Sequence, residues 1–244
     1  MPSPYAKHWS LEPSRLFLNH GSFGACPNFV IEEQRKWQDL MEREPVRFFE
    51  ELMPDLLLKS REALGTFLNC SPDDLAFVSN ATSGVNTILR SLHFEQGDEI
   101  LVPNHAYQAC RNSIDFVAKR WGAKVVEVAI PFPIDGPQTV VELMKSACSE
   151  RTKLVMIDTV TSPTGLRMPF EALTEFFEGK GVEVLLDAAH GIGMIPLNLG
   201  ELGASYVTSN CHKWLCAPKG SAFLYVREDK QSKIQPLTIS HGHT

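Results

Sequence analysis

The sequence has 244 residues, 43% of them hydrophobic and 21% charged, the make-up of a globular chain long enough for one sizeable core. Its formal net charge of -6, with no Lys/Arg run, gives no electrostatic reason to expect a nucleic-acid partner. No eighteen apolar residues run together, and "MPSPYAKHWSLEPSRLF" has no basic segment followed by an apolar core, so neither a membrane span nor a secretory leader is expected and the expected location is cytoplasmic.

In chain order, residues 28–69 read as a mostly helical arm broken by Pro45 and Pro54. Seven apolar runs follow: "LAFVS" (75–79), "DEILVP" (98–103), "KVVEVAI" (124–130), "KLVMID" (153–158), "VEVLLD" (182–187), "ASYVTS" (204–209) and "SAFLYV" (221–226). Each reads as a strand buried on both faces, and helical spacing between several of them predicts an α/β protein with a parallel sheet covered by helices. Helix signals lie in "SPDDL", "ATSGVNTILRSL", "AYQACRNSIDFVAKRW" and "PFEALTEFFEGKG". Repeats and flexible linkers are absent, so the expected organisation is an N-terminal arm over 1–69 packing on a large domain over 70–244. Six cysteines (Cys26, Cys70, Cys110, Cys148, Cys211, Cys216) read as reduced thiols in a chain of this size, and the sequons at Asn69 and Asn80 read as chance matches.

Ligands of open α/β sheets bind beyond the carboxyl ends of the strands, which selects the residues after each run. After "LAFVS", the small polar residues of "NATSGVN" (Ala81, Thr82, Ser83) lead into a helix whose free amides and dipole suit a phosphate. An ordinary N-cap by Asn80 or Thr82 explains the same residues. After "DEILVP" come His105 and Tyr107, flat rings that either stack on a ligand or simply pack. Asp187 ends a strongly apolar strand, where a carboxylate demands a cationic ligand or a hydrogen-bonded network; a helix N-cap is the plainer alternative. His190 follows three residues on. "NCHKWLCAPKG" holds Lys213 between a histidine and a tryptophan, company that a solvated surface lysine does not need but a nucleophilic one does. "CHKWLC" and the terminal "HGHT" do not make a four-ligand zinc site, so no metal is assigned. A phosphate cradle, a ring to stack on, a buried carboxylate for a protonated ring nitrogen and a lysine for an imine together match the needs of pyridoxal 5'-phosphate.

These residues, in "FLNHGSFGACP", "NATSGVNTILRSL", "DAAHGIGMIPLNL" and "NCHKWLCAPKG", resemble the class V aminotransferase family of fold-type I pyridoxal-phosphate enzymes, and most of all its isopenicillin N epimerase-like branch. The resemblance implies a three-layer α/β/α sandwich with a mostly parallel sheet. It implies that Lys213 is the Schiff-base lysine, Asp187 the partner of the pyridine nitrogen, and His190 a contact of the ring hydroxyl. His105 falls on the stacking position, with Tyr107 its rival, and Ala81, Thr82, Asn210 and His212 fall on phosphate contacts. Asn19, His20, Ser22, Thr161 and Ser162 fall where the family approaches substrate. A homodimer is implied, as is an amino-acid or peptide-like amine as substrate. Epimerisation, C–S lyase or desulfurase chemistry, and transamination are the candidate outcomes. The family pattern continues past "LTISHGHT" into a small C-terminal domain that carries a substrate-gripping arginine, so the sequence is expected to be a fragment or a truncated relative. A non-catalytic cofactor-binding or dimerisation module is the competing expectation.

Overall fold

A computed structural model of the protein describes residues 3–241. Seven strands form one sheet: β1 (Leu75–Val78), β2 (Glu99–Pro103), β3 (Lys124–Val128), β4 (Thr152–Asp158), β5 (Glu183–Asp187), β6 (Tyr206–Asn210) and β7 (Ala222–Val226). All seven apolar runs are therefore strands. Their spatial order is β1-β7-β6-β5-β4-β2-β3. The β2–β3, β2–β4, β4–β5 and β5–β6 pairs are parallel, while β7 runs antiparallel to both β6 and β1. Antiparallel pairing needs no crossover helix, so β6 passes to β7 through a loop alone. That loop carries Lys213.

The helices are α1 (Asn28–Arg43), α2 (Pro45–Arg47), α3 (Met53–Leu68), α4 (Ala81–Ser91), α5 (Gln108–Trp121), α6 (Pro137–Ser146), α7 (Phe170–Gly179) and α8 (Leu199–Leu202). Alternation along the strands sends their side chains to two separate cores. In β4, Val155 and Ile157 join Leu68 of α3, Met144 of α6 and Phe177 of α7 on one face. Leu154 and Met156 join Ile88 of α4 and Ile114 of α5 on the other. The result is a three-layer α/β/α sandwich on a mostly parallel sheet.

Three expectations need correction. β1 and β3 lie at the edges of the sheet and are not buried on both faces; Phe77 of β1 is 40% exposed. The "SPDDL" signal starts no full helix: Ser71 accepts a bond from the Asp73 amide and caps a single 3-10 turn that runs straight into β1. The arm breaks at Glu44, just before Pro45 opens α2, but not at Pro54, where the chain stays helical as it passes from a π turn over Phe48–Leu52 into α3. None of the helices is long and apolar enough to cross a membrane, among the described residues.

Candidate active site

β2 and β4 are neighbours from which the chain leaves in opposite directions, and this arrangement opens a crevice beyond their carboxyl ends. Asp158 ends β4 and Asp187 ends β5, paired in register, and Thr208 of β6 stands beside Asp187. Asp187 is 2% exposed. Its Oδ1 accepts from the Ala189 amide at 2.9 Å, and Cys110 of α5 donates its thiol to Oδ2 at 3.2 Å. Among the described residues no lysine or arginine forms an ion pair with it. Asp158 is equally buried and its Oδ2 has no partner. Burial first, and then the neighbouring Asp187, hold the Asp158 carboxyl well above the usual range; burial raises Asp187 too, opposed there by the Ala189 amide, the Cys110 thiol and the charge of Lys213.

Lys213 lies in the β6–β7 loop, with its Nζ 3.2 Å from His190 Nε2 and 5.9 Å from the centre of the Tyr107 ring. Burial lowers the pKa of this amine, an effect opposed first by Asp187. His190 is pushed down to about 4, chiefly by burial and then by Lys213, and is neutral at neutral pH. Its Nδ1 accepts from the Trp214 indole N–H at 3.2 Å.

The N-terminal loop closes over this cluster. A side chain at Gly21 would sit 2.6 Å from His190 Cε1, and one at Gly24 2.6 Å from the Lys213 carbonyl. The Lys219 ammonium donates to the Gly24 carbonyl at 2.7 Å, tying the loop down. His20 accepts from the Ala25 amide through Nδ1 at 3.3 Å, and its ring centre is 6.1 Å from that of Trp214. Asn19 is spent locally: it accepts from the Gly21 and Ser22 amides and donates to the Ser22 hydroxyl at 2.9 Å.

At the start of α4, Asn80 is the N-cap and accepts from the Ser83 amide at 2.8 Å. The Ala81 amide donates to Asn210 Oδ1 at 2.9 Å, which docks α4 on the end of β6. Ala81, Ser83 and Asn210 are thus engaged with the chain itself. Thr82 keeps an amide and a hydroxyl with no protein partner among the described residues, so it is the open donor of this turn. His212 donates Nδ1–H to the Ser221 carbonyl at 2.8 Å, leaving Nε2 free. His105, 7% exposed, donates Nε2–H to the Ile130 carbonyl at 3.0 Å and lies 3.1 Å from the Thr164 hydroxyl through Nδ1. Thr161 bonds Thr164 at 2.7 Å and serves this same chain, whereas Ser162 is exposed and bonds none of these residues.

Asp158, Cys110, Thr164 and Trp214 are site residues not named among the sequence candidates. Asp158 ends "KLVMID" just as Asp187 ends "VEVLLD", so the same reasoning finds it. Cys110 carries no such signal, because its contact crosses 77 residues of sequence. Among the described residues no group of His, Cys, Asp and Glu gathers to hold a metal ion. The six cysteines are free. Of "HGHT", residues 242–244 lie outside the described residues.

A C-DES variant solved with glycine covalently linked to its pyridoxal-phosphate cofactor shares the fold at a TM-score of 0.86 and 20% identity, over 98% of this chain and 63% of that one. The cystine C–S lyase C-DES with its product cysteine persulfide matches at a TM-score of 0.82 and 22% identity, over 92% of this chain and 60% of that one. In sequence, a probable chloroplastic L-cysteine desulfhydrase of Arabidopsis thaliana is 34% identical, over 93% of this chain and 51% of its own. An isopenicillin N epimerase of Amycolatopsis lactamdurans is also 34% identical, over 96% of this chain and 59% of its own. The chain thus spans between half and three fifths of the length of these curated relatives. The model of the aminotransferase class-V family matches residues 30–243, and with a lysine loop, a buried strand-end aspartate and a helix N-terminus placed around one crevice, the chain belongs to that family.

Proposed function

We propose that the protein is a pyridoxal-phosphate enzyme acting at the α-carbon of an amino acid or a peptide-like amine. The observation that carries this reading is the Lys213 amine, partly desolvated and in contact with His190, beside the buried Asp187. Asp187 tests the fit of the cofactor: a buried carboxylate with two hydrogen-bond donors but no ion-pairing lysine or arginine calls for a cation, and a protonated pyridine nitrogen is one. Pyridoxal phosphate, when bound, supplies a sink for the electrons left at the α-carbon. Lys213 would hold it covalently, Asp187 would pair with its ring nitrogen, and Thr82, with the free Nε2 of His212, would meet its phosphate. His105, fixed at both nitrogens, and Tyr107 would bound the ring, and Lys213 Nζ, freed as an amine when the substrate amine displaces it from the cofactor, would take the α-proton.

Two outcomes share this machinery. Release of a sulfur substituent from a cysteine-like amino acid needs one base at the α-carbon, which Lys213 supplies, and it is supported by the desulfhydrases among the similar chains. Epimerisation, which the motifs and the similar epimerases favour, also needs a proton donor on the opposite face. His20 is the candidate, because accepting at Nδ1 leaves its proton on Nε2. The test is incubation with L-cysteine and with a racemisable peptide-like amine in deuterated water. Sulfide and pyruvate in equal amounts identify the lyase; inverted product carrying α-deuterium identifies the epimerase. Retention of every α-proton in the presence of cofactor contradicts both.

A further inference from the structure

Trp214 is a residue to which neither outcome assigns a role. Its indole nitrogen can only donate, so at 3.2 Å from His190 Nδ1 it makes that atom an acceptor. A neutral imidazole with an accepting Nδ1 carries its proton on Nε2, the atom 3.2 Å from Lys213 Nζ. The remaining bond then has one consistent direction. An ammonium has no lone pair with which to accept from Nε2–H, whereas a free amine has one. The Gly21 backbone packs against this edge of His190, where a methyl group would lie 2.8 Å from Nδ1.

We propose that Trp214 is a positioning residue: it fixes the Nε2–H tautomer of His190, which in turn donates to Lys213 and holds that amine in its nucleophilic, uncharged form. The other groups facing the amine are Asp187 at the end of β5, Asp158 at the end of β4, Cys110 of α5 and the face of Tyr107. Asp187 favours the ammonium, so the Trp214–His190 pair works against a charge that would otherwise keep the lysine protonated. The inference rests on the reading of Lys213 as the cofactor-binding lysine for its purpose, but not for its geometry.

The test uses the full chain freed of cofactor and labelled with ¹⁵N-histidine. Long-range proton–nitrogen correlation, with the His190 signals assigned by their loss in His190→Gln, should show Nε2 protonated and Nδ1 bare. Trp214→Phe should release the tautomer, letting Nε2 accept from the ammonium. The midpoint for modification of Lys213 by trinitrobenzenesulfonate, read by peptide mass spectrometry against pH, should then rise by about one pH unit, the worth of one net hydrogen bond. A proton on Nδ1 in the unsubstituted protein overturns the proposal even if Trp214→Phe fails to fold, and so does an unmoved midpoint in a folded variant. If instead the tautomer is as stated but Lys213 takes up no cofactor, the functional reading fails and the positioning stands.

Discussion

Asp187 tests whether charge or mere polarity is needed at the end of β5. Asp187→Asn keeps an acceptor for the Ala189 amide but not for the Cys110 thiol, so the chain should still fold and lose about 1 kcal/mol of unfolding free energy in a urea titration. Exchange of the substrate α-proton with deuterium, followed by NMR, should fall by about 10²-fold or more, as for other losses of a preorganised electrostatic partner. Unchanged exchange would make the carboxylate structural. His190 makes a different prediction, on stability against pH. Its pKa is about 4 when folded and 6.5 as an ordinary histidine, so the unfolded chain binds more protons between those values. Stability contributed by keeping His190 neutral is full above pH 6.5 and is lost as pH falls toward 4. His190→Gln should flatten the pH dependence of the urea midpoint across that window; an unaltered slope would contradict the burial argument. Lys213, Asp187 and His190 were legible because each stands next to a strand end or inside a motif. Cys110 and Trp214 were not, since their roles depend on a thiol and an indole reaching partners that only the fold supplies.

At the scale of elements, the strands were legible because runs such as "KLVMID" hold four consecutive apolar residues between their charged ends, the mark of burial on both faces. The antiparallel entry of β7 was not legible: "SAFLYV" reads the same in either direction, and the direction is set by the crossover-free loop. α6 is the less legible helix because "PQTVVELMKS" is short and follows an irregular Pro-rich stretch, although its Val140, Val141 and Met144 lie on one face. The packing of the N-terminal loop on the lysine loop makes its own prediction. Gly24→Ala places a methyl group 2.6 Å from the Lys213 carbonyl, against backbone that cannot rotate away, and should cost about 1–3 kcal/mol in the urea midpoint and weaken cofactor binding. Gly136→Ala, ahead of α6, meets nothing within 4 Å and should be neutral or slightly stabilising. Equal effects from the two substitutions would show that the N-terminal loop is not seated on the site.

Over the whole molecule, α1 is the element the described chain leaves unexplained. It is 16 residues long and buries none of them, while Phe29 is 65% exposed and Phe67, in α3, 58%. A helix of that length is marginal in water without packing, so a second copy of the chain is the proposed cover, and sedimentation at micromolar concentration should give a dimer. A cofactor-loaded monomer would contradict it. We propose that Lys213 is the one lysine that takes up pyridoxal phosphate. Lys213 is partly desolvated beside Asp187, whereas Lys219, six residues on, is bonded to the Gly24 carbonyl. The most direct measurement is borohydride reduction of the protein after incubation with pyridoxal phosphate, followed by peptide mapping. A yellow protein whose cofactor is fixed on Lys213 alone is expected, and label on Lys219, or no fixed label at all, would contradict that assignment.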